Sequence, residues 1–278
     1  MKSSQSPTKL SKRRIAELQL QAANCAELKQ WQDAVLALSQ LAQNQPDDAE
    51  LWLRAAQCSR FARDFTVAAQ TLQDALTHFA ELETSSIRSA RENERQREIE
   101  ALQLALCETF AENQDWSACE KASRQLIQLA PRHLAAREIL ATCMLQQGRV
   151  EEAETEIRAL LKMSPRDPLY RLKLATLLQI GGKSGESLQE FERVVANYPD
   201  APFAGEAREA IDLLDNLQIQ QVVMRLNEQP QFEQQLRADM TETLRDNGFR
   251  LTDEGRESLR HMLSDGRPEI APPKKFLH

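Results

Sequence analysis

The chain has 278 residues, of which 41% are hydrophobic and 28% charged, with a formal net charge of −7. That length allows one long or two short domains, and the acidity argues against broad nucleic-acid binding, which needs a positive field. Aromatic residues are only 5% and glycines number 8, few for the strands and turns of a β-rich domain. Ala, Leu, Gln, Glu and Arg dominate and are good helix formers, so the expected fold class is all-α.

Residues 1–14 hold Lys2, Lys9, Lys12, Arg13 and Arg14 and no acid. They read as a basic, solvated tail. Ile15 to Gln21 then alternates apolar and polar, unlike the apolar run of a secretory signal. No window approaches the length of apolar chain that spans a bilayer. Cys25, Cys58, Cys107, Cys119 and Cys143 stand singly, with no Cys-x-x-Cys. Such a set fits a reducing compartment and small core residues, and the cytoplasm is the expected address.

Pro131, Pro165 and Pro199 are spaced 34 residues apart, and Cys119, Ala153 and Ser187 each stand 12 residues before one of them. Ala34 with Pro46 repeats the pair upstream. Ala68 with Ala80 repeats it again, with Ala80 in the place of a proline. Only the step from Ala68 to Cys119 is longer, by 17 residues. A small residue lets two helix backbones approach closely, and a proline after the second helix stops it and aims the next unit. A fixed period with both features is the mark of a helical repeat.

These residues resemble the tetratricopeptide repeat family, whose unit is a helix–turn–helix. Five units lay out over 15–201, as 15–48, 49–82, 100–133, 134–167 and 168–201. The second reads Trp52, Ala55, Ala56, Phe65 and Ala68; the third Leu106, Cys107, Trp116, Cys119 and Pro131; the fourth Leu140, Ala141, Gly148, Ala153 and Pro165; the fifth Leu174, Ala175, Gly182 and Pro199. The first is the poorest match, with Gln21 where leucine is usual. The resemblance implies a right-handed superhelical solenoid with a continuous core.

The extra residues form a charged insertion at 83–99. Arg88, Arg91, Arg95 and Arg97 alternate there with Glu92, Glu94, Glu98 and Glu100 at spacings that support a solvated helix. Thr84, Ser85 and Ser86 read as a break and an N-cap. Both flanking helices should be lengthened.

Residues 202–229 have helical apolar spacing and should cap the fifth unit. Residues 230–266 read as a helical hairpin, with arms near 230–246 and 253–264, Asn247-Gly248 as a C-cap and Thr252 as an N-cap. Residues 267–278 read as a disordered tail. The order Val222 to Leu226, Pro230-Gln231-Phe232, Gly248-Phe249-Arg250-Leu251-Thr252 and an acidic helix resembles leader segments in precursors of ribosomally made, modified peptides. That resemblance implies a processing enzyme bound to the hairpin, and hence an alternative role as an accessory in peptide maturation. The tail itself offers no Cys or Ser to modify.

No catalytic constellation is visible. His78, His133, His261 and His278 are scattered, and no set at metal-ligand spacing exists, so no metal and no cofactor are expected. His133 reads as a solvated loop residue. The remaining feature is surface. The resemblance implies a concave groove lined by the first helix of each unit, which carries Gln57, Arg60, Phe61, Glu108, Glu112, Glu138, Thr142, Gln146, Thr176 and Gln179. The lysine and asparagine of the chaperone-tail clamp in this family are replaced by Gln19 and Ala23. The expected function is a non-enzymatic scaffold that binds a peptide or helix of another protein. Nucleic acid and a membrane span are not expected as partners, and self-association stays open.

Overall fold

The structure, a computed structural model, describes residues 10–85 and 92–264. These residues form helices and connecting turns, with no strand among them. The helices pair in the order of the repeat. They are α1 (Lys12–Glu27) with α2 (Trp31–Asn44), α3 (Ala49–Phe61) with α4 (Phe65–Ser85), α5 (Glu92–Glu112) with α6 (Trp116–Leu129), α7 (Leu134–Gln146) with α8 (Val150–Met163), and α9 (Pro168–Ile180) with α10 (Ser184–Asn197). Then come α11 (Ala204–Glu228), α12 (Pro230–Ala238), α13 (Met240–Asp246) and α14 (Asp253–Ser264). No described helix is long and apolar enough to cross a membrane.

The basic start departs from expectation. Lys12, Arg13 and Arg14 form the first turn of α1, because the Ser11 hydroxyl accepts from the Arg14 amide at 3.2 Å and caps the helix. Arg13 and Arg14 both pair with Glu17 one turn on. Residues 1–9 and 265–278 lie outside the described residues, and with them the rest of the basic start and the expected C-terminal tail.

α4 and α5 are each 21 residues long, against 13 to 16 for the other eight repeat helices. Ala80 explains part of this. A proline there would have ended α4, and alanine lets it run through Thr84 and Ser85, where the sequence suggested a break. Residues 86–91 lie outside the described residues.

The chain forms two compact units, divided within α8 at Glu156 and Ile157. In the first, the small residues Ala22, Ala34, Ala56, Ala68, Cys107 and Cys119 are almost wholly buried. Leu18, Leu38, Leu72, Phe79, Leu102 and Leu126 fill the space beside them. Each of these large side chains contributes about 1.5–3 kcal/mol through burial, and no single helix pair could supply that core alone.

The turn from first to second helix is built the same way in all five units. The last helical turn closes with the left-handed residue that a Schellman motif needs. Lys29, Arg63, Gln114, Gly148 and Gly182 occupy it, with φ of 58°, 62°, 58°, 76° and 74°. In each, the amide of the following residue reaches back to the third-last helical carbonyl, as Asp115 does to Phe110 at 3.0 Å and Arg149 does to Met144 at 2.9 Å.

The second unit holds two small cores along one helix. The first half of α11 packs on α10, burying Leu188, Phe191, Val194, Ala207 and Leu214. Its second half carries Ile219, Val222 and Leu226 against Phe232, Leu236, Leu244, Leu251 and Leu259 of the C-terminal helices. The first arm of that hairpin is not one helix. Asp239 (φ −147°) breaks it, and its carboxylate accepts from the Glu242 amide at 2.9 Å, starting α13. The Asp239-to-Glu242 spacing of a capping box was the overlooked signal. At the far end Gly248 (φ 79°) closes α13, and the Thr252 hydroxyl caps α14 by accepting from the Gly255 amide at 2.9 Å.

Candidate protein-binding face

In the first unit α5 lies against both α3 and α7, so the first helices of successive repeats form one layer. Arg60 of α3 crosses to α5. Its Nη1 donates to Glu108 at 3.0 Å and its Nε to Glu112 at 3.1 Å, with a second, shorter contact from Nη2 to Glu112. The guanidinium is mostly buried while both carboxylates stay half exposed. Arg60 holds the Glu112 carboxyl below the usual carboxylate range, against the opposing effect of burial. A planar fork between two carboxylates on neighbouring turns fixes all three side chains.

Arg60, expected as one residue of the groove, is ion-paired with two others of that set. With two carboxylates to one guanidinium, this part of the face is acidic. Phe61, the next residue, is 54% exposed. Its ring leans on Trp31 of α2, with centroids 4.8 Å apart and planes tilted by 38°. Trp31 opens α2 and Phe61 closes α3, so the stacking of repeats sets the start of one repeat's second helix beside the end of the next repeat's first helix.

The other expected residues occupy separate places. Gln57, exposed, lies one turn before Arg60 on α3. On α7, Thr142 and Gln146 are exposed, and the Thr142 hydroxyl donates to the Glu138 carbonyl at 3.0 Å. Thr176 and Gln179 belong to α9 of the second unit, where both are exposed and the Thr176 hydroxyl donates to the Leu172 carbonyl at 3.1 Å. Arg60, Glu108 and Glu112 are brought together across two helices.

One further residue differs from its sequence reading: His133 is an N-cap, its Nδ1 accepting from the Ala136 amide at 3.1 Å. Asp215 of α11 is buried and satisfied by Thr252. All five cysteines are buried and free, as small core residues should be. Cys119 donates to the Cys107 carbonyl at 3.4 Å, and Ser187 donates to the Ala175 carbonyl at 2.8 Å. Both join the same two repeat positions, so a small side chain at the helix crossing also satisfies a buried carbonyl lone pair.

Antiparallel helix pairs, a shared core and one turn geometry recurring at a fixed period define the class: an α-helical repeat protein. Two stretches of the chain carry tetratricopeptide repeats. Residues 26–82 and 110–177 match tetratricopeptide repeat models. Among solved structures it is similar to the MamA protein, at 13% identity and a TM-score of 0.52, over 69% of this chain and 98% of that one. MamA 41-end from Desulfovibrio magneticus RS-1 gives 10% identity and a TM-score of 0.51, over 68% of this chain and 98% of that one. YrrB, a TPR protein with an unusual peptide-binding site, gives 12% identity and a TM-score of 0.50, over 72% of this chain and 93% of that one. At these identities the likeness is one of fold. No curated protein matches the chain by sequence.

Proposed function

We propose that the protein is a non-enzymatic interaction scaffold that holds a peptide or helix of another protein against its first-helix face, centred on Phe61, Glu108 and Glu112. The observation that carries this reading is the pairing of an exposed aromatic with a fixed acidic cluster. An aromatic ring held by a second ring loses little entropy on contact and supplies apolar area. Carboxylates already locked by Arg60 need not be ordered again when a partner arrives. The tetratricopeptide repeats at 26–82 and 110–177 support the scaffold role, as does the likeness of fold to YrrB, a TPR protein with an unusual peptide-binding site.

The test is affinity capture with the full chain from lysate of its source, beside two full-length variants. Phe61→Ala with Glu112→Lys alters the proposed face. Leu36→Arg alters an exposed residue of α2, outside that set. A protein captured by the wild type and by Leu36→Arg, but lost with the double variant, supports the reading. If every captured protein is retained by the double variant, the face is not the site.

A further inference from the structure

A second surface of the first unit does not depend on that reading. Between α4, α5 and α6 runs an open groove of about 830 Å³. Leu76, Ile99, Leu106 and Phe110 form its floor, and Leu129, 47% exposed, stands on its wall. The groove arises where the repeat is irregular. Ala80 in the proline position and Ile99 in the insertion both line it, and both belong to the stretches that make α4 and α5 longer than their counterparts.

Its chemistry is unlike the rest of the chain. Among the described residues fourteen line it, and Lys121 is the only charged one of these, in a protein with 28% charged residues. Its other polar groups are amides and a hydroxyl, among them Gln125 and Gln128. Depletion of charge over an apolar floor, with a neutral polar rim, is the composition of an interface core. Lys121 is exposed and has no ion-pair partner among the described residues.

We propose that this groove docks an amphipathic helix of a partner protein, apolar on one face and carrying a carboxylate that pairs with Lys121. A helix is favoured over an extended segment because the walls are helices, whose backbone groups are already bonded internally. An extended chain would bring unpaired amides onto an apolar floor, whereas a helix satisfies its own backbone. The wall from Ala118 to Leu129 is about 16 Å long, or three turns.

The test uses the full chain and a displayed library of helical peptides. Leucines are fixed on one face at i, i+3, i+4 and i+7, and the flanking positions are randomised. Selected peptides are expected to carry Asp or Glu at one flank. They should lose affinity at least 30-fold on Leu129→Arg and about 10-fold on Lys121→Glu. Selection on Lys121→Glu should replace the acid by Lys or Arg. Both substituted residues are exposed, so circular dichroism and the melting temperature should stay unchanged. No enrichment over Leu129→Arg would overturn the proposal, as would equal affinity for acidic and basic flanks. So would concentration-dependent dimerisation of the free protein that Leu129→Arg abolishes, since a second copy would then fill the groove. Displacement of selected peptides by a long-chain fatty acid at micromolar concentration would likewise assign the groove to a small apolar ligand.

Discussion

The Asp215 carboxylate, buried on α11, accepts hydrogen bonds from both the amide and the hydroxyl of Thr252 at the head of α14, the amide at 3.0 Å. Gly255 sits directly against it: a Cβ there would come within 2.5 Å of Asp215 Oδ2. Gly255→Ala should therefore push the carboxylate off Thr252, and Thr252→Val should leave a buried acceptor unpaired. Each change should cost about 1–3 kcal/mol. Hydrogen exchange should show the loss in α14 before α1 to α7. Unchanged protection of α14 in Gly255→Ala would mean that this contact does not anchor the helix.

The left-handed turn residues differ in their fitness for the task. Gln114 adopts φ 58° with a side chain, while Gly148 does so with none and with no heavy atom near its missing Cβ. Gln114→Gly should raise stability by about 0.5–1 kcal/mol, and Gly148→Ala should lower it by about 1 kcal/mol. Urea unfolding of the three proteins measures both. Effects of the same sign at the two positions would refute the assignment.

Glu120 ties α6 to the start of α8. Arg124 first, then Arg149 and Gln147, bond to its carboxylate and hold its pKa at about 2, from an ordinary value of 4.5. Since the folded value is depressed, the stabilisation is complete above pH 4.5 and is lost as pH falls through 2. The urea midpoint of the wild type should drop across that window. Glu120→Gln should be less stable at pH 7 and show a shallower drop. Parallel curves for the two proteins would sink the account.

Burial raises the Cys107 thiol to about 12, and the other four cysteines are also buried. A thiolate is the reactive form, so a chromogenic disulfide reagent should label almost none of the five in the native protein and all five in urea. The rate in mild urea should follow global unfolding. Rapid native labelling of Cys107 would contradict its burial.

Much of this protein was legible in its sequence because the repeat is a local device. Ala34, Ala68, Cys119, Ala153 and Ser187 mark helix crossings through their size alone, and all five are buried. Ala80 and the added residues before Cys119 pointed to the long α4 and α5. Asp239 was missed because a nine-residue and a seven-residue helix have apolar spacing that joins smoothly across the break. The face of the first unit was legible as a set of residues but not as a site. Nothing in the spacing along the chain shows that Arg60 pairs with Glu108 and Glu112, 48 and 52 residues away.

The sequence by itself determined the helices, their period and the packed side of each, since these follow from spacing along one chain. Only the tertiary structure decided which charges are spent, which aromatic faces solvent, that Asp215 locks α14, and that α4, α5 and α6 enclose an apolar groove. Those facts depend on residues tens of positions apart, and side-chain pairing across helices leaves no periodic trace in the chain.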